Sequence, residues 1–346
     1  MLDKENSMYD VIVVGGGPAG MTAALYAVRN GKSALVIEKT GFGGQITHSP
    51  KVENIPGFTQ LSGNEFADQM LEQILHQGAE IEIENVVDVK VGTAVIDSVG
   101  PGFTVTTEEG NSYEGRTVII ATGVKHRMLG LPGEDALVGE GISFCAVCDG
   151  DFYSGKKVCV AGGGNSALQE AILLSEKCTE VVMLQDMDFF TGEEKLQEVL
   201  FSKPNVKTYT GVKVTQLLTE GTEDEPTLTG VEIEHTSAAG TVGGMGTDAP
   251  AGEGAAVGKP AVGSREVVNC DGLFVAIGLI PENDAFKELE NLNEYGYFDT
   301  NEYCVTKTPG LFVAGDCRSK FVRQVTTAAA DGAVAALAAC RYINGL

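Results

Sequence analysis

The sequence lacks the features that mark several large classes of protein. No apolar run reaches the roughly 18 residues of a membrane span, and the nearest one, Ala328–Cys340, is interrupted by Asp331. Basic residues are scarce, since 24 Lys and Arg stand against 48 Asp and Glu and give a net charge of -24. Nucleic acids and anionic membranes attract a basic face, so this charge disfavours both as partners. The acidic first residues lead directly into a strand and do not resemble a secretory signal, so we expect a cytoplasmic protein.

Clustered metal ligands are also missing. Among 8 cysteines, Cys145 and Cys148 form the one closely spaced pair. Zinc and iron–sulfur sites usually need four clustered ligands, so we predict no metal site. A reducing cytoplasm disfavours a framework of structural disulfides. A lone C-x-x-C is a weak signal, but this pair lies between two glycine fingerprints for dinucleotides, Gly15–Gly20 and Gly162–Ala167, and is therefore predicted to be a redox dithiol.

The sequence does contain two glycine fingerprints for dinucleotides, one on each side of the cysteine pair. Gly15–Gly20 follows the apolar strand Tyr9–Val14, and Gly162–Ala167 follows Lys156–Ala161. Glycines in such a turn let a pyrophosphate approach the backbone, and the helix that begins there offers N–H donors. Each fingerprint therefore predicts a βαβ unit of a parallel sheet. The other predicted elements are helices Ala19–Arg29, Ala167–Lys177 and Val325–Ala339, and strands Ser33–Glu38, Val118–Gly123, Glu180–Leu184, Leu273–Gly278 and Leu311–Asp316.

The simplest assembly is an α/β protein with two Rossmann-like, three-layer nucleotide-binding domains, the second inserted in the first. Linker-like stretches, among them the charged, Gly- and Pro-containing Lys125–Glu134, place the first domain at residues 1–126 and 270–346 and the inserted domain at 127–269. Strand Leu273–Gly278 would then begin the return to the first domain. Residues 236–265 contain 8 Gly and 7 Ala. Such a segment buries little apolar surface, so we predict a mobile surface loop.

Two features define the ligand of the first fingerprint: Glu38 supports a dinucleotide, and Asp316 favours FAD over NAD. Glu38 ends the next strand, near the spacing expected for an acid that binds a ribose. Far along the chain, Asp316 ends a strand and precedes the predicted helix Val325–Ala339. Such an aspartate can hydrogen-bond a ribityl chain, and the helix N-terminus can face the flavin pyrimidine.

Along nearly its whole length, the chain resembles the low-molecular-weight, bacterial-type thioredoxin reductases, which are FAD-dependent pyridine nucleotide-disulfide oxidoreductases. The motifs that carry the resemblance are Gly15–Gly20, Gly43–Thr47, Val52–Gly57, Ala121–Gly123, Cys145–Gly150, Gly162–Ala167, and Gly315-Asp316 with Arg323-Gln324. The resemblance implies a homodimer of two-domain subunits. It also implies an FAD site formed by Gly15, Gly17, Pro18, Ala19, Gly20, Glu38, Gly44, Gln45, Asn54, Ala121, Thr122, Gly123, Gly315, Asp316, Arg323 and Gln324.

The resemblance also implies roles around the cysteine pair. Cys148 would face the flavin, and Cys145 would attack the disulfide of a partner protein. Asp149 would protonate a departing thiolate, which requires a pKa raised by burial. Alternatively, Asp149 has only a structural role as a turn former or helix cap, because Asp149-Gly150 is also a turn dipeptide. Because one arrangement cannot hold the dithiol against the flavin and expose it to a partner, the resemblance implies rotation of the inserted domain.

The second fingerprint departs from the family pattern. Members that use NADPH carry His-Arg-Arg and a further Arg after the next strand, and these cations bind the 2′-phosphate. Here the stretch is Leu184-Gln185-Asp186-Met187-Asp188-Phe189-Phe190-Thr191. Three electron donors stay open. The first is NADH, with Asp186 on the ribose hydroxyls. The second is reduced ferredoxin acting directly on the flavin, as in relatives that do not use pyridine nucleotides. The third is NADPH held by other cations such as Lys203 or Lys207. The candidate NAD(P) residues are Gly162, Gly164, Asn165, Ser166 and Asp186.

We therefore predict a cytoplasmic thioredoxin reductase, in which FAD passes electrons to the Cys145–Cys148 disulfide and the dithiol reduces thioredoxin or a thioredoxin-like protein. One alternative is a dithiol oxidase, which runs the same centre backwards and passes electrons to oxygen. Another is a non-catalytic flavoprotein that senses redox state. His48 and Cys317 follow flavin-binding motifs, but we expect them to be structural.

Overall fold

The computed structural model describes residues 8–49, 52–96, 100–222, 226–237, 242–243, 261–290 and 292–346. The chain forms two compact units, one made of Met1–Lys125 and Ile280–Leu346 and the other of His126–Leu279. Both are mixed α/β units built around parallel strands, which confirms the predicted fold class. No helix within the described residues is long and apolar enough to cross a membrane.

The strands are β1 Tyr9–Val14, β2 Ala34–Glu38, β3 Glu80–Ile83, β4 Val86–Ile96, β5 Gly100–Thr107, β6 Ser112–Ile120, β7 Val124–His126, β8 Ile142–Ser143, β9 Lys157–Ala161, β10 Glu180–Gln185, β11 Val206–Thr210, β12 Val212–Gly221, β13 Pro226–His235, β14 Val242–Gly243, β15 Arg265–Asn269, β16 Gly272–Val275, β17 Leu279–Pro281 and β18 Leu311–Val313. The α-helices are α1 Pro18–Arg29, α2 Gly63–His76, α3 Glu134–Leu137, α4 Ala146–Asp149, α5 Asn165–Ser175, α6 Glu194–Phe201 and α7 Val325–Ile343. Short 3-10 helices cover Gly44–His48, Gly150–Tyr153, Asp284–Phe286 and Gly315–Cys317.

The sheet of the first unit has the order β3-β2-β1-β6-β5-β4, with β18 also pairing with β6. Strands β1, β2, β3, β6 and β18 run parallel, so their carboxyl ends share one edge. Helices α1 and α7 pack together through small residues, among them Ala23, Ala24 and Ala335. A Cβ on Gly332 of α7 would lie 2.1 Å from the carbonyl oxygen of Ala19. This close approach holds the start of α1 against α7.

The second unit has a sheet of order β14-β11-β10-β9-β16-β8 and a separate antiparallel sheet, β12-β13-β15. Strand β9 pairs in parallel with both β10 and β16. Fully buried Val158, Val160, Leu168 and Leu174 join β9 to α5. The carboxyl end of β9 and the start of α5 therefore lie at one edge, as in the first unit.

The predicted return to the first domain at Leu273–Gly278 is wrong. Leu273 is in register with Cys159, and Phe274 with Val160, in the sheet of the second unit. The boundary falls at Leu279/Ile280 instead of residue 270. A short apolar strand that ends in glycine suits either parallel sheet, so sequence alone does not distinguish them.

The predicted linker around residue 130 is held by Glu134, which is buried and accepts hydrogen bonds from the N–H groups of Leu129, Gly130 and Leu131 at 2.7 to 3.2 Å. Most of the Gly/Ala-rich segment predicted at 236–265, namely residues 238–241 and 244–260, lies outside the described residues.

Candidate functional site

The first glycine turn, in the first unit, is shaped by backbone contacts that a side chain would prevent. Gly15 has φ +112, and a Cβ there would lie 2.4 Å from the carbonyl oxygen of Ala121. A Cβ on Gly20 would lie 1.9 Å from the carbonyl oxygen of Gly15. A Cβ on Gly44 would lie 3.3 Å from Gly17, and one on Gly315 would lie 2.8 Å from the Ala19 side chain. The structure thus brings several predicted FAD residues together around one turn.

The start of α1 is open to an anion. Gly17 is the N-cap and makes no side-chain cap, Pro18 begins the helix, and the first turn contains no acidic residue. Glu38 lies beside the turn, since its Oε2 accepts the N–H of Gly16 at 2.6 Å and its Oε1 accepts the N–H of Thr40 at 3.1 Å. An uncapped helix start suits a pyrophosphate, and an acid at the end of the second strand suits a ribose.

Asp316 lies in the short helix after β18. Its Oδ1 is buried without a well-aligned hydrogen bond and forms a 3.3 Å ion pair with Lys320 Nζ. Burial raises the pKa of Asp316, and the Lys320 cation opposes that rise. Lys320 also pairs with Asp331 of α7 at 3.0 Å. Arg323 stacks over the Tyr297 ring at 4.5 Å. A buried carboxylate oxygen with spare accepting capacity fits a hydroxyl donor such as a ribityl chain.

Further predicted FAD residues lie in the same unit, and some of them make side-chain hydrogen bonds there. Asn54 Nδ2 donates to Gln324 Oε1 at 3.2 Å, at the start of α7. Thr122 Oγ1 donates to Asn283 Oδ1 at 2.9 Å. Gln45 is exposed in the 3-10 helix Gly44–His48. Together with the turn and Asp316, these residues fit FAD in the first unit.

Sequence analysis missed Asn283. It is buried, and its Nδ2 donates to the carbonyl oxygens of Gly296 and Cys317 at 2.9 and 3.0 Å. It thereby orients the Thr122 hydroxyl. Cys317 is fully buried, which suits the structural role expected for it. His48 is exposed.

The cysteine pair lies in the second unit, where Cys145 and Cys148 form a disulfide with Cα atoms 5.3 Å apart. Cys145 precedes α4, and the N–H of Cys148 donates to Cys145 Sγ at 3.1 Å. Both cysteines are partly buried, whereas Val147 between them is 58% exposed. The spacing therefore produces the disulfide that the C-x-x-C pattern predicts.

Asp149 is held close to this disulfide by Ser143. Asp149 Oδ2 accepts the Ser143 hydroxyl at 2.6 Å, and the same hydroxyl oxygen accepts the N–H of Cys145 at 3.1 Å. Asp149 Oδ1 is buried and has no hydrogen-bond partner among the described residues. Burial raises the pKa of Asp149, although the Ser143 hydrogen bond opposes that rise. The direction is the one that a general acid needs.

A second carboxylate, which sequence analysis missed, lies behind the disulfide. Glu170 projects from α5, and its Oε2 accepts the N–H of Ala146 at 2.5 Å. Burial raises the pKa of Glu170 to about 7, with the Ala146 hydrogen bond opposing the rise and the charge of Asp149 adding to it. Nothing in the sequence spacing indicates this contact, because it depends on how α4 packs against α5.

The second glycine turn keeps the geometry of a dinucleotide site. Gly162 has φ +126, and a Cβ there would lie 2.4 Å from the carbonyl oxygen of Ala276. Gly164 is the N-cap of α5, without a side-chain cap and without an acid in the first turn. Asn165 Nδ2 donates to Glu193 Oε1 at 3.0 Å, and Ser166 is exposed. The turn fits a pyrophosphate.

The loop after β10 offers no cation to a 2′-phosphate. Asp186 and the other residues that replace the family's arginines are exposed, and none is basic. Lys203 pairs with Glu176 at 3.2 Å, and Lys207 lies over the Tyr209 ring at 4.7 Å. Lys207 is three residues before the end of β11, which places it about 10 Å from the ligand-binding edge. Across the described ranges, no group of three His, Cys, Asp or Glu side chains could hold a metal ion.

The chain is similar to known proteins over its full length. Residues 9–332 match the family described as pyridine nucleotide-disulphide oxidoreductase. The chain is 35% identical over 346 residues to the thioredoxin reductase of Listeria monocytogenes, covering 99% of this chain and 96% of the relative. It is 34% identical over 343 residues to that of Bacillus subtilis, covering 99% and 97%. The crystal structure of thioredoxin reductase from Streptococcus pyogenes aligns with TM-score 0.82 at 33% identity, covering 99% of this chain and 100% of that one.

Proposed function

The chain belongs to the pyridine nucleotide-disulphide oxidoreductase family, and we propose that it acts as a flavin-dependent reductase of thioredoxin or a thioredoxin-like protein. The observation that carries this proposal is the Cys145–Cys148 disulfide with Asp149 beside it. When bound in the first unit, FAD supplies the electron pair that reduces the disulfide. The six other cysteines are buried free thiols, which suits a reducing compartment such as the cytoplasm.

The chain's own residues account for the thiol chemistry. Reduction breaks the bond between Cys145 and Cys148 and takes up two protons, one of which leaves the Cys145 sulfur before it attacks. The Cys145 thiolate attacks the partner's disulfide and forms a mixed disulfide, which releases one partner thiolate. Cys148 then attacks Cys145 Sγ, which frees the second partner thiolate and restores the intramolecular disulfide. Asp149 donates a proton to a departing thiolate, for which its raised pKa suits it.

NADH is the electron donor that the second unit favours. The Gly162 turn and the uncapped start of α5 support binding of a pyrophosphate. The acidic, exposed Asp186 suits a ribose with free hydroxyls and would repel a 2′-phosphate dianion. Reduced ferredoxin is the competing donor, because it would need none of these contacts.

The donor is tested by anaerobic mixing of the FAD-loaded protein with NADH, NADPH or reduced ferredoxin, each alone, while the flavin absorbance is followed. Rapid bleaching by NADH alone is expected. Bleaching by ferredoxin alone would assign the electron input to a protein, and a faster response to NADPH would overturn the argument from Asp186.

The acceptor is tested by insulin reduction in the presence of thioredoxin. The expected result is turnover that a Cys148→Ser variant abolishes while FAD stays bound. Oxygen consumption driven by a small dithiol, without reduction of thioredoxin, would instead favour a dithiol oxidase. A homodimer is part of the same proposal, and analytical ultracentrifugation of the FAD-loaded protein tests it.

A further inference from the structure

Two carboxylates approach the cysteine pair, and the thiol chemistry described above uses one of them. Asp149 lies on the Ser143 side of the turn, whereas Glu170 approaches Ala146 from α5. Ala146 directly follows Cys145 and is fully buried. Glu170 is the one acid of the two that touches the backbone between the cysteines.

The distance between Glu170 and the Cys145 sulfur is limited by covalent geometry. Glu170 Oε2 lies 2.5 Å from the nitrogen of Ala146. That nitrogen is four bonds from Cys145 Sγ, so the two atoms are at most about 5 Å apart. The carboxylate oxygen is therefore within about 8 Å of the sulfur, at which distance two negative charges disfavour each other's ionisation in a partly buried site.

We propose that Glu170 is a positioning residue that sets the acidity of the Cys145 thiol by holding a carboxylate on the Ala146 N–H. While Glu170 is ionised, formation of the Cys145 thiolate is disfavoured. When the thiolate forms, Glu170 takes up a proton, and it releases that proton once the thiolate is consumed in a mixed disulfide. The inference rests on the proposed function, because it assigns the attack on the partner to Cys145.

The proton and electron balance is complete without a new reactant. Two electrons from the flavin and two protons from solvent convert the disulfide to one thiol and one thiolate, with the second proton held on Glu170. Burial already brings the pKa of Glu170 to about 7, so a nearby thiolate shifts its protonation within the physiological range. Asp149 from α4 is the charged side chain that acts on Glu170, and Lys177, which follows α5, is paired with Asp151 at 2.6 Å.

A Glu170→Gln substitution separates charge from hydrogen bonding. The amide oxygen of glutamine can still accept the Ala146 N–H, but it carries no charge. The matched control is Glu176→Gln, just beyond the same helix, where an exposed carboxylate pairs with Lys203 at 3.2 Å. Both substitutions are made in a Cys148→Ser background, which leaves Cys145 as the single thiol of the pair.

The measurement is the rate of iodoacetamide alkylation of Cys145 between pH 5 and 10, followed by peptide mass spectrometry on the FAD-loaded protein after treatment with dithiothreitol. With Glu170 in place, we expect an apparent thiol pKa about one unit higher than in the Glu170→Gln variant, which corresponds to roughly tenfold slower alkylation near pH 8. Below about pH 6, where Glu170 is protonated, the two rates should converge. The Glu176→Gln control should match the unsubstituted background throughout.

The proposal would be overturned if Cys145 were alkylated with the same pH profile in the Cys148→Ser protein with and without the Glu170→Gln substitution. A difference that is the same at every pH would also overturn it, because it would indicate altered access to the sulfur and not a titrating charge. Thermal unfolding and FAD content of the two variants establish that both are folded. Dithiothreitol reduces the disulfide directly, so the outcome does not depend on whether thioredoxin is the physiological acceptor.

Discussion

A Gly15→Ala substitution tests whether the first glycine turn holds FAD. Gly15 has φ +112, and Gly31, which lies after α1, has φ +73. Alanine at the left-handed φ of Gly31 costs about 1–2 kcal/mol of backbone strain, and at the φ of Gly15 it costs at least as much. A Cβ on Gly31 has no heavy atom within 4 Å, whereas a Cβ on Gly15 would lie 2.4 Å from Ala121 oxygen. Gly31→Ala is therefore a control for strain without collision.

The collision adds a cost that falls on the turn itself. A Cβ–oxygen contact needs more than 3 Å, so the ends of β1 and β6 must separate. Overpacking of this kind costs about 1–3 kcal/mol beyond the shared strain. If that energy is lost from FAD binding, the dissociation constant rises by roughly 5- to 150-fold, since 1.4 kcal/mol is about tenfold.

The assay is fluorescence titration of each apoprotein with FAD, together with the FAD-to-protein ratio after purification. We expect the unsubstituted protein and the Gly31→Ala variant to bind FAD with similar affinity, and the Gly15→Ala variant to bind it much more weakly. A Gly15→Ala protein that binds FAD as tightly as Gly31→Ala would refute the assignment of this turn to the cofactor.

Three further predictions concern the second unit. Asp149→Asn should lower thioredoxin-dependent insulin reduction by about a hundredfold or more while FAD stays bound. We expect the rate of the unsubstituted protein to fall at high pH, as Asp149 loses its proton, and this fall should be absent from the variant; an unchanged pH profile would exclude Asp149 as the acid. Burial raises the pKa of Glu170 in the folded protein to about 7, whereas its ordinary pKa, which applies in the unfolded chain, is 4.5. The protonated side chain therefore contributes its full stabilisation below pH 4.5, and this contribution is lost as the pH rises to 7. Relative to Glu170→Gln, the free energy of unfolding in urea should thus fall by about 3 kcal/mol between pH 4.5 and 8, and a constant difference would contradict the raised pKa. Gly162→Ala, whose Cβ would lie 2.4 Å from Ala276 oxygen, should abolish bleaching by NADH without loss of FAD, whereas unaltered bleaching would place the donor elsewhere.

Sequence alone could predict the features that depend on local pattern. The Gly15 and Gly162 turns follow directly from a strand, a glycine run and a helix, and α1 begins within one residue of the prediction. The raised pKa of Asp149 was also expected, because the role inferred from the resemblance requires it. These features need few contacts from distant parts of the chain.

The features that sequence could not predict depend on tertiary contacts. Glu170 looks like an ordinary acid in an amphipathic helix, and its contact with Ala146 exists because α4 lies against α5. Asn283 gains its role from carbonyl oxygens 13 and 34 residues away. Strand β16 was assigned to the wrong sheet because its four buried residues carry no periodicity.

The most direct test of the electron path is an anaerobic titration of the oxidised, FAD-loaded protein with dithionite. FAD and a disulfide each accept one electron pair, so the account predicts about two equivalents of dithionite per subunit. A Cys148→Ser variant, which cannot form the disulfide seen here, should take up about one. Uptake of a single equivalent by the unsubstituted protein would contradict the central claim that electrons pass from FAD to the Cys145–Cys148 disulfide.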